Sequence, residues 1–241
     1  RYARSSTGGG KWQNLRLPAQ WQVRYKELTF QVKPMNFKHT GVFPEQAANW
    51  NFIYDNCVRM RAEERTPKVL NLFAYTGGAT LAARAAGADT THVDSVKQVV
   101  TWARENMEQS GLEGVRWIVE DALKFVRREV RRGSRYNGII LDPPAFTKSK
   151  NAIKNAVKGY REINLRGMKL VKDGGYLATC SCSHYMNAEL FAQTIGQAAR
   201  AAHCRLRQVE FRTQSPDHPI LWSADESYYL KFYIFQVCHE H

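Results

Sequence analysis

Several aspartates, two glycines and two cysteines stand directly after apolar runs, where a chain leaving a buried strand first meets solvent. Gly77 and Gly78 end "NLFAYTGG" (71–78), Asp94 ends "THVD" (91–94), Asp121 follows "VRWIV" (115–119) and Asp142 ends "GIILD" (138–142). The glycines permit close approach of the backbone to a ligand, and the amides of a helix starting there could meet a phosphate or carboxylate. Asp94, 17 residues after Gly77, is spaced to accept from a ribose diol, and Asp121 adds a third polar group at the same edge. Taken singly, the glycine turn reads equally well as a plain turn and Asp121 as a helix N-cap. The turn lacks G-x-G-x-x-G, which disfavours a nicotinamide or flavin dinucleotide; a nucleoside carrying a short charged tail fits better.

At the fourth strand end, Pro143 and Pro144 stiffen the turn after Asp142 and remove two backbone donors. Such a turn can aim a carboxylate at a planar ligand, with Phe146 offering a stacking face. In "TCSCS" (179–183), strand alternation puts Cys180 and Cys182 on one face, Cys182 nearer the rim and Cys180 nearer the core.

The elements that must hold these groups alternate. Strands at 69–73, 91–94, 115–119, 138–142 and 176–182 are separated by helical patterns at 77–87, 96–110, 121–132 and 151–171, which predicts βαβ units and a parallel sheet. A helix at 187–203 and strands near 206–212 and 228–237 complete the pattern. Ahead of it, "WQVRY" (21–25) and "LTFQV" (28–32) read as a hairpin and a helix starts near Pro44, making a leader over 1–65 before a main domain over 66–241. This leader is placed to cover the ligand cleft. The opening "RYARSSTGGGK" reads as a truncation scar, a flexible basic arm or a transit-peptide remnant, and the residues do not choose among them.

Lys plus Arg number 35 against 22 Asp plus Glu, a net charge of +13 that favours a polyanionic partner such as nucleic acid. Lys148, Lys150, Lys154 and Lys158 follow the Asp142 turn, the last three spaced by four on one helical face. A second basic run, Arg127, Arg128, Arg131, Arg132 and Arg135, reads equally as a solvated helix face. Five cysteines without a CxxC pair or zinc spacing point to free thiols in a reducing, cytoplasmic setting, and no metal is expected. No apolar run is long enough to span a membrane.

The blocks "VLNLFAYTGG", "VDSVKQVVTWARENMEQSGL", "EDALKFVRR", "DPPAF", "GYREIN", "GGYLATCSCS" and "DHPI" together resemble the class I S-adenosylmethionine-dependent methyltransferases, and within them the bacterial 23S rRNA cytosine-5 methyltransferases. The resemblance runs from about Gly41 to the end; a PUA RNA-binding domain is often first in that branch, and none is expected ahead of the hairpin here. It implies a Rossmann-like α/β fold with a mainly parallel seven-stranded sheet, an antiparallel last strand and the hairpin and helix leader. It also implies S-adenosylmethionine as cofactor. Phe73, Tyr75, Thr76 and Gly77 would line its cleft, Asp94 and Ser95 would meet the ribose, Asp121 and Ala122 the adenine, and Gln46 of "FPEQ" would lie near the methionine end. Asp142, Pro143, Phe146, Lys148 and Lys150 would face the substrate, and the nucleophile falls at Cys182, seven residues beyond Gly175.

Carbon 5 of a pyrimidine is a poor nucleophile; a thiolate adding to carbon 6 turns the ring into an enamine that can take a methyl group. The expected function is therefore methylation of carbon 5 of a cytosine in ribosomal RNA through Cys182, with Asp142 holding the ring. Two other readings remain: an RNA base N-methyltransferase acting on guanine or adenine without a cysteine nucleophile, and a non-catalytic RNA-binding ribosome assembly factor. His218, in "SPDHPI", falls in a loop that the family block puts beside the site, and a structural histidine accounts for it equally; His184 carries no more weight. Oligomeric state is not legible.

Overall fold

Leu70, Leu72, Val93, Leu141 and Leu177 have no accessible surface, as strands covered by helices on both faces require. The computed structural model describes residues 2–4, 10–13, 16–35, 39–146, 150–224 and 227–240. Two short strands, β1 (Tyr2–Arg4) and β2 (Gly10–Trp12), pair with each other, so part of the basic lead is structured. The hairpin β3 (Trp21–Tyr25) and β4 (Leu28–Val32) and the helix α1 (Ala47–Glu63) follow as expected. Then come β5 (Lys68–Leu72), α2 (Gly78–Ala85), β6 (Asp89–Asp94), α3 (Lys97–Gln109), β7 (Val115–Val119), α4 (Ala122–Arg131) and β8 (Tyr136–Leu141). The chain ends with α5 (Ile153–Leu170), β9 (Val171–Ser181), α6 (Ala188–Ala202), β10 (Cys204–Arg212) and β11 (Lys231–His239).

The large sheet has the order β10-β11-β9-β8-β5-β6-β7, and only β11 runs against its neighbours. This is the expected Rossmann-like sheet. The chain leaves β5 toward β7 on one side and returns to β8 on the other, so strand order reverses between β5 and β8. Ligands bind at such a switch point, beyond the carboxyl ends of the strands. One face is filled by Phe125, Tyr160 and Phe191 of α4, α5 and α6, the other by α1, α2 and the hairpin.

The leader is clamped onto the main sheet's outer helices. All five residues of β4 are buried. Gln31 N donates to Asn106 Oδ1 at 2.8 Å, Trp102 Nε1 donates to Gln31 O at 2.9 Å, and Thr29 N donates to Ser110 Oγ at 2.9 Å. Several boundaries differ from expectation by a few residues, the last strand running Lys231–His239 rather than 228–237, and two differences bear on the site. β9 begins at Val171 rather than 176, because a register shift between Tyr136 and Gly138 of β8 absorbs the Gly174-Gly175 pair without ending the strand. Lys150–Ala152 form a 3-10 turn, so α-helical spacing starts only at Ile153 and the expected three-lysine face reduces to Lys154 and Lys158, both exposed.

Candidate active site

The turn after β5 is built from three left-handed residues, Phe73 (φ 59°), Tyr75 (φ 48°) and Gly77 (φ 96°). Two of them carry side chains, each costing about 1 kcal/mol or more, so the surroundings must impose the shape. They do so from every side. Ala74 N donates to Val93 O at 3.1 Å, Tyr75 N to Asp94 Oδ2 at 3.0 Å, Asn106 Nδ2 to Thr76 O at 2.9 Å and Thr76 Oγ1 to Gly41 O at 2.5 Å. Beneath the turn, a buried relay from Asn71 through Thr80 to His92 locks β5, α2 and β6 together. Burial holds His92 neutral, pushing it down to about 3.

The glycines of this turn answer chiefly to packing. A Cβ on Gly78 would stand 2.6 Å from the Trp50 ring, and one on Gly77 would stand 3.3 Å from Ala103 Cβ. Gly77 at the N-cap contributes no side chain, and no side-chain bond caps α2. Its first amides therefore keep free donors for a ligand anion. Asp94 accepts from Tyr75 N and, through its other oxygen, from Val96 N at 3.0 Å; among the described residues it has no ion-pair partner. Its remaining lone pairs suit hydroxyl donors. Asp121 caps α4, accepting from Lys124 N at 2.9 Å, which matches its plainer reading, while it remains exposed on the same edge. Ser95 is exposed there too, whereas Thr76 and Ala122 are buried and the Thr76 hydroxyl is turned to Gly41.

Across the switch point, the turn after β8 closes on the end of β9. Gln46 Nε2 donates to Asp142 Oδ2 at 2.9 Å, and Asn49 Nδ2 holds the Gln46 carbonyl at 2.6 Å. Gln46, expected at the methionine end of a cofactor, is here bonded to the aspartate and orients it. Burial pushes the Asp142 carboxyl up to about 6 against the hydrogen bond from the Cys180 thiol, with the charge of Glu45 acting in the same direction as burial. Cys180 has no accessible surface and its thiol is held well above its usual range by burial and by Asp142. Cys182 is the half-buried one, with its thiol 3.9 Å from Pro143 O. Burial and then the Asp142 charge push it up to about 11. Phe146 meets Phe73 edge-on at 6.3 Å and Tyr160 at 4.7 Å, joining the two loops across the cleft.

The leader supplies one wall: Phe43 packs on Tyr75 with ring centroids 5.0 Å apart. Ser215 N and Oγ both donate to Glu45 O at 2.9 Å, and His218 Nε2 lies 3.8 Å from Glu45 Oε2, so the "DHPI" loop is tied to "FPEQ". Lys148 lies outside the described residues, and of Lys150 only the backbone is described. Of the five arginines, Arg127, Arg128 and Arg132 are engaged with Glu162, Glu120 and Glu129. A cavity of about 150 Å³ walled by Tyr25, Trp50, Asn51 and Tyr54 contains none of the strand-end groups. Among the described residues there is no cluster able to hold a metal ion, and no helix is long and apolar enough to cross a membrane.

Lys231 escaped the sequence reading. Its ammonium is buried beside the two thiols and donates to Ser183 O at 2.7 Å and Tyr229 O at 2.8 Å. A lysine inside the apolar run "YYLKFYIF" is the signal that marks it.

Residues 5–235 match the model of a family described as S-adenosylmethionine-dependent methyltransferases. Ribosomal RNA large subunit methyltransferase I of Klebsiella pneumoniae is 34% identical over 173 residues, 70% of this chain and 43% of that protein. A SAM-dependent methyltransferase structure from Agrobacterium tumefaciens aligns with a TM-score of 0.76 at 28% identity, covering 96% of this chain and 75% of that one. The SMU.776 protein complexed with SAH has the same fold, with a TM-score of 0.80 at 21% identity over 94% of this chain and 58% of that one. The chain spans about half the length of the curated relatives it matches.

Proposed function

From a chain that belongs to the S-adenosylmethionine-dependent methyltransferase family, we propose that this protein methylates a base of RNA, with carbon 5 of a ribosomal cytosine as the target and Cys182 as the nucleophile. The observation that carries the reading is the half-buried Cys182 thiol held against Pro143 of the Asp142 turn, while Cys180 is wholly buried. The excess of basic residues and the names of the curated relatives support RNA as the substrate class.

S-adenosylmethionine fits the residues present: the uncapped amides at the start of α2 suit its carboxylate, and Asp94 suits its ribose diol. When bound, it supplies an electrophilic methyl group on a sulfonium. Phe73, Tyr75, Gly77, Ser95, Asp121 and Ala122 line or neighbour its place in this reading, and Gln46 reaches it while holding Asp142. The target base must leave its stack to enter such a rim, which favours unpaired RNA. Cys182 loses its proton and adds to carbon 6, and carbon 5 becomes nucleophilic. After methylation, a base removes the carbon 5 proton and the thiolate leaves, restoring the ring. Asp142, titrating near 6, retains enough of its acid form to donate to N3 as negative charge builds in the ring. Phe146 and Pro143 flank the base, and Lys148, Lys150, Lys154 and Lys158 meet phosphates.

One observation favours a second reading: with its thiol raised to about 11, Cys182 is mostly protonated at neutral pH, as a bystander in an N-methyltransferase would be. RNA carrying 5-fluorocytidine separates the two. A covalent adduct that disappears in Cys182→Ala supports carbon 5; absence of adduct together with full turnover by Cys182→Ala overturns it in favour of nitrogen.

A further inference from the structure

Lys231 opens β11, in register with Ser181 of β9, one residue short of Cys182. It is 2% exposed, between Leu230 at 1% and Phe232 at 2%. Burying an ammonium costs several kcal/mol unless a counter-charge or full hydrogen bonding offsets it. Here two of its three protons go to the carbonyls of Ser183 and Tyr229, and among the described residues no carboxylate lies within ion-pair distance. A leucine at this position would fill the strand without that cost. A buried cation without a resident anion is a functional-site candidate, suited to an anion formed beside it.

The groups facing it identify which. From the end of β9 come the Cys180 and Cys182 thiols, both of which interact electrostatically with its ammonium. Asp142, on the turn after β8, is held by Gln46 and disfavours a second negative charge at either thiol. From the leader comes Glu45, hydrogen-bonded by Tyr229 at 3.3 Å. Tyr160, whose hydroxyl accepts from Ser181 Oγ at 3.0 Å, faces the two thiols from α5. Against burial and Asp142, Lys231 is the charged side chain that acts, among the described residues, to stabilise the Cys182 thiolate. Its hydrogen bond to Ser183 O also fixes the backbone one residue past the thiol.

We propose that Lys231 is the positioning residue of the site: its buried ammonium anchors the Cys182 segment and serves as the counter-charge of the Cys182 thiolate, whose proton leaves to solvent while Lys231 keeps its own. The role in catalysis rests on Cys182 being the nucleophile; the effect on the thiol does not. When Asp142 lies protonated against a bound base, its opposing charge is gone and only burial still works against the ammonium at the thiol. Burial lowers Lys231 to about 8, and the thiolate raises it, so each member of the pair favours the charged form of the other.

The test is iodoacetamide alkylation of the full chain, read peptide by peptide in a mass spectrometer between about pH 6.5 and 7.5, where Lys231 keeps its charge and the rate follows the thiolate fraction. Cys238, exposed and on the same strand, is the internal control. In Lys231→Met and Lys231→Gln the Cys182 rate at each pH is expected to fall about tenfold, a displacement of about one pH unit, while Cys238 is unchanged; Lys231→Arg restores most of the rate. Lys231→Gln keeps an amide donor for the two carbonyls and guards against a Met variant that does not fold. Superimposed Cys182 lines for the wild type and a folded Lys231→Gln, judged by its thermal melt, overturn the proposal. The assay uses neither RNA nor methyl transfer, so it fails or succeeds independently of 5-fluorocytidine trapping.

Discussion

Replacing Asp142 by Asn should make this protein more stable at neutral pH while removing its activity. Burial raises the Asp142 carboxyl from 3.8 to about 6, so ionising it costs more in the folded state than in the unfolded one. That rise corresponds to about 3 kcal/mol. The folded state binds this proton more tightly than the unfolded one, so the group favours folding at low pH and the contribution is lost as pH rises from below 4 to above 6. An asparagine side chain in its place would still accept from Gln46 and carries no charge to desolvate. Urea unfolding at about pH 7.5 should therefore show Asp142→Asn more stable by about 3 kcal/mol, falling to about half that at pH 5. Methyl transfer should be lost in the same variant. A gain that does not change between these two pH values, or a variant less stable than the wild type at pH 7.5, would refute the account of a strained carboxylate.

Asp94→Ala removes the charged acceptor at the end of β6, and calorimetry should show S-adenosylmethionine bound at least about tenfold more weakly; equal affinity would take Asp94 out of the site. Gly41→Ala would bring a Cβ to 2.2 Å from Trp102 Cζ2 at a backbone φ of +104°. The ring cannot retreat, because its Nε1 is bonded to Gln31 O. The expected loss is about 3 kcal/mol, and an unchanged urea midpoint contradicts it. Lys154→Glu with Lys158→Glu should weaken RNA binding and flatten the plot of log affinity against log salt by about two; an unaltered slope puts the phosphates elsewhere.

Much of this site was legible because strand periodicity fixes where a side chain leaves the sheet. Asp94, Asp121, Asp142 and Cys182 all stand just past or at strand ends, as the apolar runs required, and nearness to the rim separated a wholly buried Cys180 from a half-buried Cys182. What periodicity cannot say is what a buried group touches. Gly77 and Gly78 drew notice as a ligand cradle, yet Ala103 and the Trp50 ring are what a Cβ would meet there. Gly41 and Asn106, which hold the Phe73–Gly78 turn, are 35 and 30 residues in sequence from Thr76, the residue to which they bond. Lys231 looked like one more residue of a strand, and only the pairing of β11 with β9 brings it to Cys182.

That pairing also orders events in time. β11 fills the gap between β9 and β10, so the sheet has a missing interior member until residue 231 and those after it have been synthesised. A ribosome that stalls before then leaves a slot bordered by two unsatisfied strand edges, inviting any extended peptide to add itself there. The Cys182 segment would meanwhile lack the bond from Lys231 to Ser183 O, so an incomplete chain would leave that segment unanchored beside the open edges.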